Sequence, residues 1–167
     1  MGPGTSFHRL LWDDAQLLPD EKIKLVPDAK IQRVVLCSGK VYYDLYDERE
    51  KRGIDDTYLL RIEQLYPFPT KALMTELSRF KEAEIVWCQE EPRNQGGWVF
   101  VDIFLEWVLN QIEAKHRRAR YAGRPASAST AVGQMSLHLL SLIHILDVYK
   151  RQRKDTWRGR TVPPIRN

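Results

Sequence analysis

Twelve residues, Trp87 to Trp98 (WCQEEPRNQGGW), constrain the fold more than any other stretch of this chain. They begin inside an apolar run, Ile85-Val86-Trp87-Cys88, and turn polar at once with Gln89, Glu90 and Glu91. Pro92 has no N–H to give to a strand ladder. Asn94-Gln95-Gly96-Gly97 is turn chemistry. From Trp98 the apolar residues Trp98, Val101, Leu105, Val108 and Ile112 step by three and four, which is one face of an amphipathic helix. A buried strand that passes through a polar loop into a helix is the building step of an open α/β sheet. Ligands and partners of such sheets meet the carboxyl ends of the strands, so this loop predicts the rim of a crevice.

The same step recurs upstream. Ile31 to Cys37 is a short β-branched run and predicts the first core strand. Ser38-Gly39-Lys40 follows as a tight turn. Val41 to Arg52 then predicts a helix with Val41, Leu45, Tyr42 and Tyr46 turned inward and Gly53 as its stop. Thr57 to Leu65 predicts the second strand, broken by Tyr66-Pro67-Phe68-Pro69, and Pro69 suits a first helical turn. Leu73, Met74, Leu77 and Phe80 follow at helical spacing, and Glu84 to Cys88 predicts the third strand. A short edge strand is expected near Arg118 to Tyr121, and a further helix near Ala131. Residues 1–30 read as a lead-in strand or arm with a proline-punctuated loop. Alternating strands and helices imply a mostly parallel sheet covered on both faces, a three-layer αβα domain over residues 31–140.

Charge invites a nucleic-acid reading that its distribution removes. The formal net charge is +4, but residues 141–167 hold seven Lys/Arg against two acids, a local +5. The other 140 residues hold 19 bases and 20 acids, a net of −1. Basicity belongs to the tail. That tail, SLIHILDVYKRQRKDTWRGRTVPPIRN, has no helical period, and SLIHILDVYKRQ resembles translated adaptor sequence; residues from about 141 are expected to be non-native. No apolar run is long enough for a membrane span, and no secretory signal is seen at the start. Cys37 and Cys88 end apolar runs, which reads as two small buried hydrophobes rather than a disulfide or metal pair.

Chemistry has few candidates. Ser38-Gly39-Lys40 lies where a strand hands over to a helix, so free backbone N–H groups and the helix dipole favour an anion there. It lacks the upstream glycine and following Ser/Thr of a Walker A loop, and an ordinary tight turn with a solvated lysine is the bland alternative. Glu90 and Glu91 are adjacent, and on a strand they would point to opposite faces, a poor acid/base pair. Gln89 suits an adenine or amide contact, or a hydrogen bond that fixes the loop. Arg117, Arg118, Arg120 and Arg124 could grip phosphates or form a solvated edge. His8 and His116 lack nucleophile or ligand partners and read as surface residues.

Several motifs in one order carry a resemblance. GTSFHR, VVLCSGKVYYDL, REKRGIDD, LLRIEQLYPFP, ELSRF, VWCQEEPRNQGGW and RYAGRPASAS are closely similar to the C-terminal domain of the decarboxylating, thiamine-diphosphate component of 2-oxoglutarate dehydrogenase, over about residues 3–140. The resemblance implies a transketolase C-terminal-domain-like fold. It implies an enzyme that decarboxylates 2-oxoglutarate and succinylates a lipoyl carrier, with thiamine diphosphate and Mg2+ as cofactors. The family's GDG motif for the diphosphate and metal does not occur here, so the chain alone is expected to be inactive. The resemblance further implies a homodimer, a lipoyl-bearing succinyltransferase partner, and a bacterial cytoplasmic or mitochondrial matrix location. In some branches it implies an acetyl-CoA or adenine-nucleotide effector, carried over to Ser38, Lys40 and Gln89, with Arg9 and Arg120 as weaker candidates. Glu90, Glu91, Asn94 and Gln95 are the interface candidates. No catalytic and no metal-ligating residue is expected. A 2-oxoadipate or pyruvate relative and a stand-alone nucleotide or CoA module are alternatives; a nucleic-acid protein acting through the tail is a third.

Overall fold

The structure is a computed structural model that describes residues 7–17 and 23–129. A five-stranded sheet, ordered β1-β3-β2-β4-β5, forms its middle layer. The strands are β1 (Leu10–Leu11), β2 (Arg33–Cys37), β3 (Thr57–Ile62), β4 (Glu84–Cys88) and β5 (Arg120–Ala122). β2 runs parallel to β3 and β4, and β4 parallel to β5, while β1 alone is antiparallel, against β3. The helices are α1 (Asp14–Leu17), α2 (Val41–Arg52), α3 (Thr70–Leu77) and α4 (Trp98–Gln111), with 3-10 turns at Asp28–Lys30 and Ser78–Phe80.

Alternation along the strands builds both faces. Val34, Leu36, Tyr58, Leu60, Ile85 and Trp87 point into a core closed by α3 and α4. Val35, Cys37, Leu59, Val86 and Cys88 point the other way, onto Val41, Tyr42 and Leu45 of α2. A sheet covered on both faces explains why its strands read as continuous apolar runs. The expected three-layer α/β domain is therefore what forms. Gly53 ends α2 as expected, in the left-handed conformation (φ 63°), and the last carbonyls of the helix accept hydrogen bonds from Gly53 and Ile54.

Three strands shift their bounds, the first being β2, which opens at Arg33 rather than Ile31. β3 ends at Ile62, not Leu65; the Glu63 N–H still donates to Arg9 O at 3.0 Å, but Leu65 leaves the ladder to wall a cleft. β5 starts at Arg120 because its register pairs Val86 with Arg120 and Cys88 with Ala122. Arg118 is held off the sheet by Asp102 on α4, at 2.9 Å. The helix expected near Ala131 and the tail lie outside the described residues.

The lead-in segment is anchored by a buried ion pair. Asp13 and Arg49 are both fully buried. The Asp13 carboxylate accepts both guanidinium NH2 groups of Arg49, the Ala15 N–H at 3.1 Å and the Leu59 N–H at 2.7 Å. Arg49 also donates to Thr57 O at 3.2 Å. One carboxylate thus ties the arm to α2 and to the middle of β3.

Candidate functional site

The carboxyl ends of β2 and β4 open onto a cleft of about 600 Å³. Ser38, Gly39 and Lys40 form one wall and Gln89, Glu90 and Glu91 the other; Trp87, Leu65, Tyr66 and Phe100 give it an apolar lining. The rim expected from the sequence is in place. It is formed because both strands end at the same level: Leu36 pairs with Trp87, so the next residues, Cys37 and Cys88, close the two ladders side by side.

Gln89 is the hub of this rim. It is 4% exposed, and both ends of its amide are engaged. Its Oε1 accepts from Trp87 Nε1 at 2.8 Å and from the Trp98 N–H at 2.9 Å. Its Nε2 donates to the carbonyls of Gln95 (2.7 Å), Pro92 (3.1 Å) and Glu91 (3.3 Å). One side chain therefore satisfies an N-terminal N–H of α4 and folds the preceding loop around itself. Of the two roles open to Gln89, the loop-fixing one is occupied. Gly96 (φ 65°) completes the packing: a Cβ there would lie 2.9 Å from Gln89 Nε2 and from Glu91 Oε2.

The other rim residues are also held. Lys40 Nζ donates to Glu90 Oε1 at 2.6 Å, across the mouth of the cleft, and this hydrogen bond raises the lysine pKa. Gly39 supplies the tight turn with φ 71°. Asn94 and Ser127 exchange two hydrogen bonds, at 3.0 and 2.9 Å, and Gln95 Nε2 donates to Ser127 O at 3.1 Å. These amides fasten the chain after β5 to the rim. Glu90 and Glu91 stand beyond the end of β4, on the loop, so the opposite-face geometry of a strand does not apply to them.

Two weaker candidates fall elsewhere. Arg120 Nε donates to Glu84 Oε1 at 2.7 Å, and Arg33 pairs with the same carboxylate at 2.7 Å. Glu84 opens β4, so this cluster is at the amino ends of the strands, away from the cleft. Burial opposes ionisation of Glu84, but Arg120 and Arg33 overcome it and hold the carboxyl below its usual range. Arg9 is exposed beside the end of β3 and does not line the cleft. Of the remaining arginines, Arg118 pairs with Asp102 and Glu106, and Arg124 is buried. His8 and His116 are exposed, as expected.

Cys37 and Cys88 are buried beneath the rim, and neither is in a disulfide. Burial pushes the Cys37 thiol up to about 12 and the Cys88 thiol well above its ordinary value. Neither is a nucleophile at neutral pH, because the thiolate is the reactive form.

Two structural features lie outside the candidate residues singled out in the sequence. Arg49 follows Val41 and Leu45 at helical spacing, so the inward stripe of α2 already placed a charge in the core and called for a carboxylate. α4 has a second apolar stripe, Val99, Ile103 and Trp107, on the side opposite its core face; these residues are 67%, 68% and 49% exposed.

The family described as "2-oxoglutarate dehydrogenase C-terminal" matches residues 1–148. Over 143 residues the chain is 72% identical to the 2-oxoglutarate dehydrogenase E1 components of Brucella anthropi and Brucella ovis, and 71% identical to that of Brucella abortus. Each comparison covers 86% of this chain and 14% of the relative, so the chain spans about one seventh of the proteins it matches. These likenesses show that the chain belongs to the 2-oxoglutarate dehydrogenase C-terminal family.

Proposed function

We propose that this chain is the assembly domain of a 2-oxoglutarate dehydrogenase E1 component and performs no chemistry of its own. The full enzyme decarboxylates 2-oxoglutarate and hands a succinyl group to a lipoyl-bearing succinyltransferase, in the bacterial cytoplasm for relatives such as those above. Thiamine diphosphate and Mg2+ supply its carbanion chemistry. Among the described residues no group of three or more His, Cys, Asp or Glu side chains is placed to hold a metal ion. The described residues therefore do not fit the magnesium and diphosphate pair, and no catalytic step is assigned to them. No described helix is long and apolar enough to cross a membrane.

The observation that carries the reading is the contrast between rim and helix. Gln89, Asn94 and Gln95 are bonded within the fold, whereas α4 leaves a continuous apolar stripe exposed. An exposed apolar patch of this kind marks a surface that another polypeptide covers. Its role is to support the homodimer. The test is a chimera in which this chain replaces the matching segment of a full-length relative. Subunit association and 2-oxoglutarate decarboxylation are expected to be retained. Deleting the segment is expected to abolish association; an active dimer that survives the deletion would remove the assembly role.

A second reading rests on the cleft itself. The N-terminus of α2 borders it with Ser38 and Lys40, which suits the phosphates of acetyl-CoA or an adenine nucleotide. Glu90 stands in the way, because it already neutralises Lys40. A phosphate must displace that carboxylate. Glu90→Gln is therefore expected to tighten acetyl-CoA binding about three- to tenfold in calorimetric titration, and Lys40→Ala to weaken it by a similar factor, the size of an exposed charge contact. A flat trace from the folded chain and from Glu90→Gln would reject the effector site.

A further inference from the structure

We propose that the cleft at the carboxyl ends of β2 and β4 binds a planar organic cation, an amidinium or guanidinium on an apolar body, held by Glu91 and stacked on Tyr66. The proposal rests on neither reading above and starts from what the cleft walls leave unused. The charged side chains of the lining are Lys40, Glu90 and Glu91, one cation against two anions, a local −1. Lys40 and Glu90 cancel each other across the mouth, at 2.6 Å. Glu91 is left over. Its backbone carbonyl accepts from Gln89 and Tyr121, but among the described residues its carboxylate joins no hydrogen bond and no ion pair. Arg93, two residues on, lies over the Tyr121 ring, 5.8 Å from its centroid, and is not paired with Glu91. One added cation brings the cleft to neutrality, whereas a phosphate takes it further negative.

The rest of the lining selects the kind of cation. Trp87, Leu65 and Phe100 are apolar, and the Tyr66 ring is 85% exposed and stacks on no other described ring. An aromatic face attracts a cation, and a planar one can lie flat against it. An amidinium or guanidinium also offers two parallel N–H donors, the match for a carboxylate. A compact ammonium is more strongly hydrated and gains less from either contact. Gly96 leaves room beside Glu91, since a Cβ there would lie 2.9 Å from Glu91 Oε2. Gln89 does not compete for the ligand, because both ends of its amide are engaged. The N-terminus of α2, which repels a cation, belongs to the opposite wall with Ser38 and Lys40. A volume of about 600 Å³ suits a small organic molecule rather than a bare ion.

Benzamidine is the probe, a planar amidinium on an apolar ring. Calorimetric titration into the 167-residue chain at low salt is expected to saturate with a Kd of about 1 mM or below. Benzamide, its neutral isostere, is expected to bind at least about fivefold more weakly, and Glu91→Gln to weaken benzamidine by the same factor. Tyr66→Ala is expected to weaken it about two- to fivefold. Lys40→Ala releases Glu90 and is expected to tighten benzamidine about two- to fivefold. That sign is opposite to the one expected for acetyl-CoA, so failure of this site and failure of the effector reading are separable. N-acetyl-arginine amide distinguishes the sources of the cation. Binding equal to that of benzamidine assigns an arginine side chain of another polypeptide, and binding of benzamidine alone assigns a free aromatic cation. The benzamide comparison uses the unsubstituted chain and needs no variant to fold. No saturation by about 10 mM benzamidine in a chain folded by circular dichroism would overturn the proposal. Benzamide binding as tightly as benzamidine would overturn it as well.

Discussion

Replacing Asp13 by alanine is expected to destabilise the domain by about 3–5 kcal/mol, the cost of leaving one member of a buried ion pair unmatched. The pair has no solvent to fall back on, since both side chains are fully buried. Asp13 also accepts the Leu59 N–H in the central part of β3. The variant would strand a guanidinium and a strand amide together, and the arm from Leu10 to Leu17 would lose its attachment to α2. Urea unfolding measures the loss. The charge accounts for only part of the cost, so the double variant Asp13→Leu/Arg49→Met is expected to regain part of the stability, as apolar replacements of buried pairs do, with the Leu59 N–H still lacking its acceptor. Salt should change little, because a buried pair is weakly screened. A loss below about 1 kcal/mol for Asp13→Ala would mean that the arm is not held by this carboxylate.

Gln89→Leu is the second large effect, expected at about 2–5 kcal/mol. The leucine has similar bulk but leaves Trp87 Nε1 and the Trp98 N–H without their acceptor, at about 1–3 kcal/mol for each buried donor. Three carbonyls of the loop lose their donor as well. The loop from Glu90 to Gly97 would loosen and the emission of Trp87 would shift to the red as water reaches it. Gln89→Glu discriminates the two halves of the amide. Its carboxylate keeps the acceptor for both tryptophan donors but faces the carbonyls of Glu91, Pro92 and Gln95 without protons to give. It should be no more stable than Gln89→Leu if the donor half dominates. Unchanged fluorescence and unfolding midpoint in both variants would remove Gln89 as the organiser of the rim.

What was legible in the sequence follows the period of its apolar residues. Strands β2 and β4 and helices α2 and α4 were readable because Val34 to Cys37, Ile85 to Cys88 and the Trp98–Ile112 stripe are set by burial on two faces. Gly53 was readable because a helix stop needs a left-handed residue. β3 was overextended because Glu63-Gln64-Leu65 continues an acceptable strand pattern, and only the position of the cleft turns Leu65 out of the ladder. The loop residues were legible as a rim but not in their roles. Asn94, Gln95 and Gln89 are as suited to hold a ligand as to hold a backbone, and only the coordinates show Ser127 and the loop carbonyls already bonded to them. Arg120 was misplaced for a different reason. Its motif neighbours suggest the crevice, but its side chain turns toward Glu84 at the opposite end of the sheet. Asp13 was missed because no local pattern links it to Arg49, 36 residues on.

The most direct measurement is sedimentation velocity on the full-length chimera carrying Ile103→Glu, alongside its 2-oxoglutarate decarboxylation rate. A carboxylate at the centre of the α4 stripe would be buried without a partner in an apolar contact. If α4 is the assembly surface, subunit association should weaken by at least about 30-fold, the scale of losing one interface hot spot. Activity should fall with it, while the circular dichroism spectrum stays that of the parent. A dimer of undiminished affinity and full activity would contradict the assignment of this domain to assembly through α4.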